Sequence, residues 1–539
     1  MKIAEAVAIK NLMRQPLFFC GHADNGSKSA PAPDLNSYCD NRKMKTAGRE
    51  EPGLKERKEN IYDKRIPQAT LLPRTEESFP WGAADRQLVP TYLGKYGYEE
   101  EEYLYSGEAN VYTLKDGRAQ VKIADAPYTN RFILRKPKDP KKFSGNVVVE
   151  LLNSTNSWDV SPMWCLLWQK MLREGDIYVG VTVRAICTQT LKQYDAKRYE
   201  KLSWKNPNPN PGEINHNILL WQHCLPDCED GLLWDMLTQL GNLFKSEQGT
   251  QIAGKEVEKI YAISCSQSSM QLSTYINVFH ESGRLSPVEL PYDGYLTYSG
   301  CRMVALNQEE SPAEVTDEIQ ITKNCPVPII RCVTQWDFKD FTGHINLRRA
   351  DSDEPGDRFR LYELAGQAHN SFSGAFYRPG YEEIAQIQKI TALPHTDITA
   401  LPLEAFMRQA LTNLDLWARE GIPAPHAQGL IEVDENNIEV LDENNNCKGG
   451  FRFPQLDVPV ATYCSGTKKN DQDSCCVYFS EEKLKELYPT RRDYIDKIFK
   501  AIDVLEEQRF FSIEDADQMK LDILKLPVPC RDHSSKFEG

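Results

Sequence analysis

No long hydrophobic run exists in this chain. Across its 539 residues nothing approaches the ~20 consecutive apolar residues of a membrane-spanning helix, so no membrane is expected as a partner. The N-terminus lacks the apolar centre of an export signal. Lys2, Glu5, Lys10 and Arg14 interrupt it, and the apolar stretch at 15–20 is too short. Positive charge is in deficit, with 64 Lys and Arg against 78 Asp and Glu and a net charge of -14. That balance argues against nucleic acid as a general partner. Glycine-rich phosphate loops are missing, and no cofactor is expected. Histidine is scarce, nine residues in all, which narrows the search for a general base.

Cysteine, by contrast, is plentiful, at 15. Without an export signal these read as reduced thiols of a cytoplasmic protein, several of them buried. His223-Cys224-Leu225-Pro226-Asp227-Cys228 offers two thiols and an imidazole, but Pro226 interrupts it and no second pair lies near. No metal site is therefore expected. The adjacent Cys475 and Cys476 read as plain thiols rather than a vicinal disulfide.

A hydrophobic content of 40% with 10% aromatics is ample for a large core in a chain of this length. Residues 1–87 are polar and punctuated and read as an irregular N-terminal arm. A catalytic domain is expected over 88–425. Strand patterns fall at 96–112, 120–136, 146–152, 177–183, 260–264, 292–299, 328–333 and 358–364. Helix patterns fall at 162–174, 231–244, 269–280 and 402–420. This alternation predicts an α/β fold, a mostly parallel central sheet with flanking helices. The Asn-Pro-rich stretch within 204–230 reads as a lid-like insert. Residues 426–539 read as a mixed C-terminal extension packed on the catalytic domain, with helices at 481–487, 492–508 and 513–524. A homo-oligomer is compatible with this reading.

The sharpest local signal is Ile263-Ser264-Cys265-Ser266-Gln267-Ser268-Ser269. An apolar run leads into it and a helix-compatible run leads out, the shape of a nucleophile elbow. Such a turn needs small residues two before and two after the nucleophile. Ser266 has Ser264 and Ser268 there; Cys265 would have Ile263, and Ser268 would have Met270. Ser266 is therefore the expected nucleophile, with serines where glycines are usual.

In an α/β-hydrolase sheet the acid and then the histidine follow the serine in chain order, each at the carboxyl end of a strand. His369 follows the 358–364 strand by a short turn containing Gly366. Asp337 is the first carboxylate after the 328–333 strand, with Asp340 behind it. The bland alternatives are a helix-capping histidine and an Asx turn. The oxyanion of such a reaction needs two N–H donors. The Gln267 backbone supplies one, and Asn153 or Ser154, after the 146–152 strand, supplies the other by position. Trp158 and Trp336 flank these loops and are the candidate substrate-binding residues.

Several blocks, taken together, resemble the alpha/beta hydrolase domain family of large bacterial and fungal serine esterases. They include Tyr96-Gly97-Tyr98-Glu99, Val147-Val148-Val149-Glu150-Leu151-Leu152-Asn153, Ser266-Gln267-Ser268, Tyr292-Asp293-Gly294, the run from Arg358 through Ala365-Gly366-Gln367-Ala368-His369, and Gly449-Gly450-Phe451-Arg452-Phe453-Pro454. The resemblance covers about 88–530. It implies an α/β-hydrolase fold, Ser266 and His369 in the triad, and a small-molecule carboxylic ester as substrate. Two departures stand out: Ser264 where the family has glycine, and Gln335 where it tends to have glutamate. The rival readings are amide or lactone hydrolysis, acyl transfer, a metal-dependent hydrolase using the 223–228 cluster, and a catalytically silent binding protein.

Overall fold

The computed structural model describes residues 65–214, 224–279, 290–310, 317–338, 344–369, 379–387, 401–465 and 475–525. The first 64 residues of the arm expected over 1–87, the centre of the insert at 215–223 and the reserve acid Asp340 lie outside the described residues.

The strands are β1 (Gln68–Leu72), β2 (Tyr98–Lys115), β3 (Arg118–Pro137), β4 (Asn146–Leu151), β5 (Ile177–Val181), β6 (Lys259–Cys265), β7 (Gly294–Tyr298), β8 (Ile329–Thr334), β9 (Ser352–Glu354) and β10 (Asp357–Leu364). They form one 10-stranded sheet in the order β1-β2-β3-β5-β4-β6-β7-β8-β10-β9. From β5 to β10 neighbours run parallel. Antiparallel pairs finish both sides, β1-β2-β3-β5 on one and β9 on the other. Every residue of β4, β5, β7 and β8 is buried, which is why these strands read as near-continuous apolar runs.

Register is what assembles the site. Leu151 pairs with Ser264, Cys265 with Tyr298, Tyr298 with Cys332 and Thr334 with Leu364. The carboxyl ends of β4, β6, β7, β8 and β10 thus lie level, and the segments that follow them meet along one edge.

The helix Pro162–Glu174 has Pro at its first position, where no N–H is needed, and closes on Gly175 at φ 87°. Its N-terminus is capped from the sheet. The Glu150 carboxylate accepts from the N–H groups of Met163 (2.9 Å) and Trp164 (2.8 Å) and from the Tyr178 hydroxyl (2.8 Å). The helix Leu403–Glu420 buries Phe406, Leu414 and Trp417. Those residues share one core with Trp164, Tyr261, Leu296, Ile330 and Tyr362, and with Phe451, Phe453 and Phe510 of the C-terminal portion.

The fold begins earlier than the sequence pattern suggests. Residues 65–87 are not irregular throughout: β1 pairs with β2 from Gln68–Ser106 to Leu72–Glu102. Trp81 is 1% exposed and its indole N–H donates to the Asp159 carbonyl at 3.0 Å. β1 is short and mostly exposed at the sheet edge, so it carries no periodic signal.

The described flanks of the 204–230 insert are tied down. Asn206 accepts from the Asn208 N–H and Asn208 from the Asn210 N–H, at 2.9 and 3.0 Å, while the Gly212 N–H donates to Glu309 at 2.9 Å. These successive Asx turns explain the Asn-Pro repetition. Among the described residues no His/Cys/Asp/Glu group could hold a metal ion. Cys224 lies 3.7 Å from both Arg184 and Asp230, and His223 lies outside the described residues. No helix among the described residues is long and apolar enough to cross a membrane.

Candidate active site

Ser266 sits between β6 and the helix Gln267–Thr274 with φ 59° and ψ -122°. A non-glycine residue holds such a conformation only where its surroundings impose it. They do so here through hydrogen bonds from the Ser266 N–H to the carbonyls of Tyr298 and Ser299, both at 2.9 Å. The flanking serines fit because local partners satisfy them. Ser264 and Ser269 share a hydroxyl pair at 2.9 Å. The Ser268 hydroxyl donates to the Cys265 carbonyl at 3.0 Å and accepts from its N–H at 3.2 Å. Ser268 is fully buried, and burial, with Glu150 and Asp337 nearby, pushes the Cys265 thiol well above its usual range. Ser266 is the half-buried one of the three.

The Ser266 Oγ lies 2.7 Å from His369 Nε2. His369 reaches it from the turn after β10. The Gln335 side-chain carbonyl accepts from the Gly366 N–H at 2.8 Å, and the Tyr298 hydroxyl donates to the Ala368 carbonyl at 3.3 Å. Gln335 thus pins the histidine turn. The Trp336 ring packs on the imidazole, with centroids 4.8 Å apart.

Asp337 is fully buried behind His369. Its carboxylate accepts from the Thr334 N–H at 2.9 Å and hydroxyl at 2.8 Å. It also accepts from the Ser299 hydroxyl at 2.8 and 3.0 Å. Burial raises its pKa, but His369, Ser299 and Thr334 more than offset this and hold it below the usual carboxylate range. The His369 Nδ1 to Asp337 Oδ1 distance is 3.6 Å, too long for a hydrogen bond. Between them sits Ser299, its Oγ 2.8 Å from Nδ1.

The residues expected at the oxyanion position are brought beside the elbow, with one correction. The Asn153 N–H is spent on the Val160 carbonyl at 2.8 Å, so it is no donor to a ligand. Its side-chain amide instead donates to the Cys265 carbonyl at 3.0 Å and ties the two loops together. Gln267 provides the first N–H of its helix, a group with no intrahelical partner. The Ser154 N–H and hydroxyl both donate to the Gln267 side-chain carbonyl, at 3.3 and 2.7 Å.

Residues 66–520 match the family described as "Alpha/beta hydrolase domain". The chain belongs to the alpha/beta hydrolase domain family. Solved structures similar to this alpha/beta hydrolase include three esterases. One from Rhizomucor miehei is 10% identical, covering 54% of this chain and 81% of that one, with a TM-score of 0.29. Esterase 2 of Thermogutta terrifontis is 12% identical, covering 59% and 96%, at 0.27. Acetyl xylan esterase 1 of a Thermoanaerobacterium species is 11% identical, covering 60% and 89%, at 0.27. Likeness of this degree carries no argument about substrate. No curated protein matches the chain.

Two further expectations for this alpha/beta hydrolase change. Trp158 is 7% exposed and packs in a separate cluster with Trp81, Leu191 and Tyr199. It is a core residue, because the Asn153–Val160 bridge turns that loop inward. Trp336 is 2% exposed and backs the imidazole, so its place is behind His369. Ser299 and Thr334 are the polar contacts that sequence reading missed. Each is an ordinary strand-end hydroxyl whose meaning comes only from register.

The elbow depends on one glycine outside it. Gly300 has φ +83°, and a Cβ there would lie 2.4 Å from the Ser266 carbonyl oxygen. Gly300→Ala is expected to displace Ser266 and lower activity about 100-fold, the scale of an ångström-level misplacement. Circular dichroism should stay native; unchanged activity in a folded variant would contradict the packing described.

Proposed function

We propose that this protein is a serine hydrolase that cleaves a carboxylic ester through an acyl-enzyme on Ser266. The observation that carries the reading is the 2.7 Å contact between the Ser266 Oγ and His369 Nε2 on a strained elbow, with buried Asp337 behind it. A serine hydroxyl is a weak nucleophile at neutral pH and needs a base in contact. His369 takes the Ser266 proton as the oxygen attacks the ester carbonyl. The resulting oxyanion is held by the Gln267 N–H and, once the Gln267 side chain yields its place, by the Ser154 N–H. The imidazolium returns its proton to the leaving alkoxide, which departs as the alcohol. Water then repeats the sequence on the acyl-enzyme, releasing the acid and restoring Ser266. Asp337 stays ionised throughout and stabilises the imidazolium.

Buried thiols outside any disulfide, such as Cys187, Cys265 and Cys332, support placement in a reducing compartment, and we read it as cytoplasmic.

The test is turnover of p-nitrophenyl esters of graded acyl length, beside the matched anilides and lactones. Ester cleavage that vanishes in a folded Ser266→Ala variant is expected. Preferential anilide or lactone cleavage would move the reading to that chemistry. No turnover of any member by folded wild type would favour a binding role.

A further inference from the structure

The contacts behind His369 do not form a two-body pair. Asp337 is an ionised carboxylate and can only accept hydrogen bonds. The Ser299 hydroxyl touches both its oxygens, at 2.8 and 3.0 Å, and a hydroxyl has one proton. That proton therefore belongs to Asp337. What Ser299 turns toward His369 Nδ1, at 2.8 Å, is a lone pair. Nδ1 must then be the protonated ring nitrogen, and Nε2 keeps its lone pair facing the Ser266 hydroxyl, the orientation a general base requires.

From this geometry we infer that Ser299 is a positioning residue that fixes the His369 tautomer, standing where a direct carboxylate–imidazole bond would otherwise be. The inference rests on the serine-hydrolase reading of the same site. No proton crosses Ser299 in either direction. When His369 becomes a cation, the chain Nδ1–H to Oγ–H to carboxylate stays intact and lays the negative end of the hydroxyl dipole against the ring.

The backbone holds this hydroxyl as firmly as it holds the nucleophile. Ser299 has φ 52° and is 1% exposed. Its N–H donates to the Cys332 carbonyl at 2.8 Å, and its carbonyl accepts from the Ser266 N–H at 2.9 Å. One residue thus touches the nucleophile's backbone, the base and the acid, and any shift of Ser299 is felt by all three.

The experiment compares wild type, Ser299→Ala and Ser299→Gly by nitrogen-15 NMR of the histidine ring, with His369 assigned by its loss in His369→Gln, and by the rate of labelling with a fluorophosphonate. Wild type should show neutral His369 as the Nδ1–H tautomer. Ser299→Ala should show a tautomer mixture and label about 10- to 100-fold more slowly, the usual cost of losing an orienting partner. Ser299→Gly opens room beside Nδ1 and both Asp337 oxygens for a water with three polar partners, and φ 52° suits glycine. It should recover labelling to within a few-fold. A Ser299→Ala protein with the Nδ1–H tautomer and wild-type labelling would overturn the inference. So would slow labelling with an unchanged tautomer, since a merely structural role gives that result. If Ser299→Ala fails to fold, failure of the glycine variant to label overturns it equally. Should wild type itself not label, the hydrolase reading falls, while the NMR comparison still decides whether Ser299 sets the tautomer.

Discussion

Asp337→Asn should lower kcat/KM about a thousand- to ten-thousand-fold with little effect on folding, on the scale of a triad aspartate replaced by its amide. The reason lies in who donates to whom. Thr334 presents two donors to Asp337 Oδ2, its N–H at 2.9 Å and its hydroxyl at 2.8 Å. An asparagine must put its carbonyl there, because its NH2 would face donors. The NH2 then falls on the Oδ1 side, toward Ser299. Ser299 has to accept from it and turn its own proton to His369 Nδ1. The imidazole is left protonated at Nε2, facing Ser266, and cannot take a proton. Labelling rate and thermal midpoint, measured on the same preparation, check this. A folded Asp337→Asn protein within ten-fold of wild type would contradict it.

The second large effect is on stability. Arg131, in β3, is 1% exposed and lies within 2.8 Å of Glu102 and 3.5 Å of Asp159. Burial disfavours its charge, but the Glu102 and Asp159 carboxylates hold it protonated. Glu102 also binds Arg198 at 2.6 Å and the Tyr199 hydroxyl at 2.9 Å. Removing one member of a buried ion cluster leaves a charge without compensation, which costs about 3–5 kcal/mol. Arg131→Met is expected to lose that much in denaturant titration. It should also lose activity while still folded, because Asp159 adjoins Val160, whose bridge with Asn153 closes the loop that carries Ser154. A loss under about 1 kcal/mol would mean that Arg198 alone satisfies the cluster.

Much of this architecture is legible in the sequence where signals are local. The helix at 162–174 is bounded by Pro162 and Gly175, and the structure puts Pro162 at the first helical position and Gly175 at the C-cap. The 481–487 helix follows Ser480, whose side chain accepts from the Lys483 N–H. The elbow was legible from small residues around Ser266. The order serine, aspartate, histidine was legible because each follows a strand that reads clearly as buried. The chain's membership in the alpha/beta hydrolase domain family was legible from the same blocks.

What escaped is set by distant parts of the chain. The helix Ala185–Tyr194 carries Ile186, Thr188 and Thr190, weak helix formers, and has no side-chain cap on its own N-cap residue Arg184. Its start is fixed by Asp230, which accepts from the Ala185 N–H at 2.8 Å, a cap 45 residues away. The helix after the elbow begins at Gln267 rather than 269 and ends as an α-helix at Thr274, before a wider turn over Tyr275–Phe279. By position Asn153 suits an oxyanion donor, but its N–H closes its own loop. Ser299 carried no signal at all, since nothing in a serine after a strand says that β7 will set it between an imidazole and a carboxylate.

The measurement that bears most directly on this account is the site of covalent capture. Wild-type protein is treated with a fluorophosphonate, digested, and the adduct located by mass spectrometry. Such reagents react with a serine already activated by its base. A single adduct on Ser266 is expected, absent in Ser266→Ala and strongly reduced in His369→Ala. An adduct on Ser268 or elsewhere, labelling that survives Ser266→Ala, or folded wild type that takes no label would contradict it.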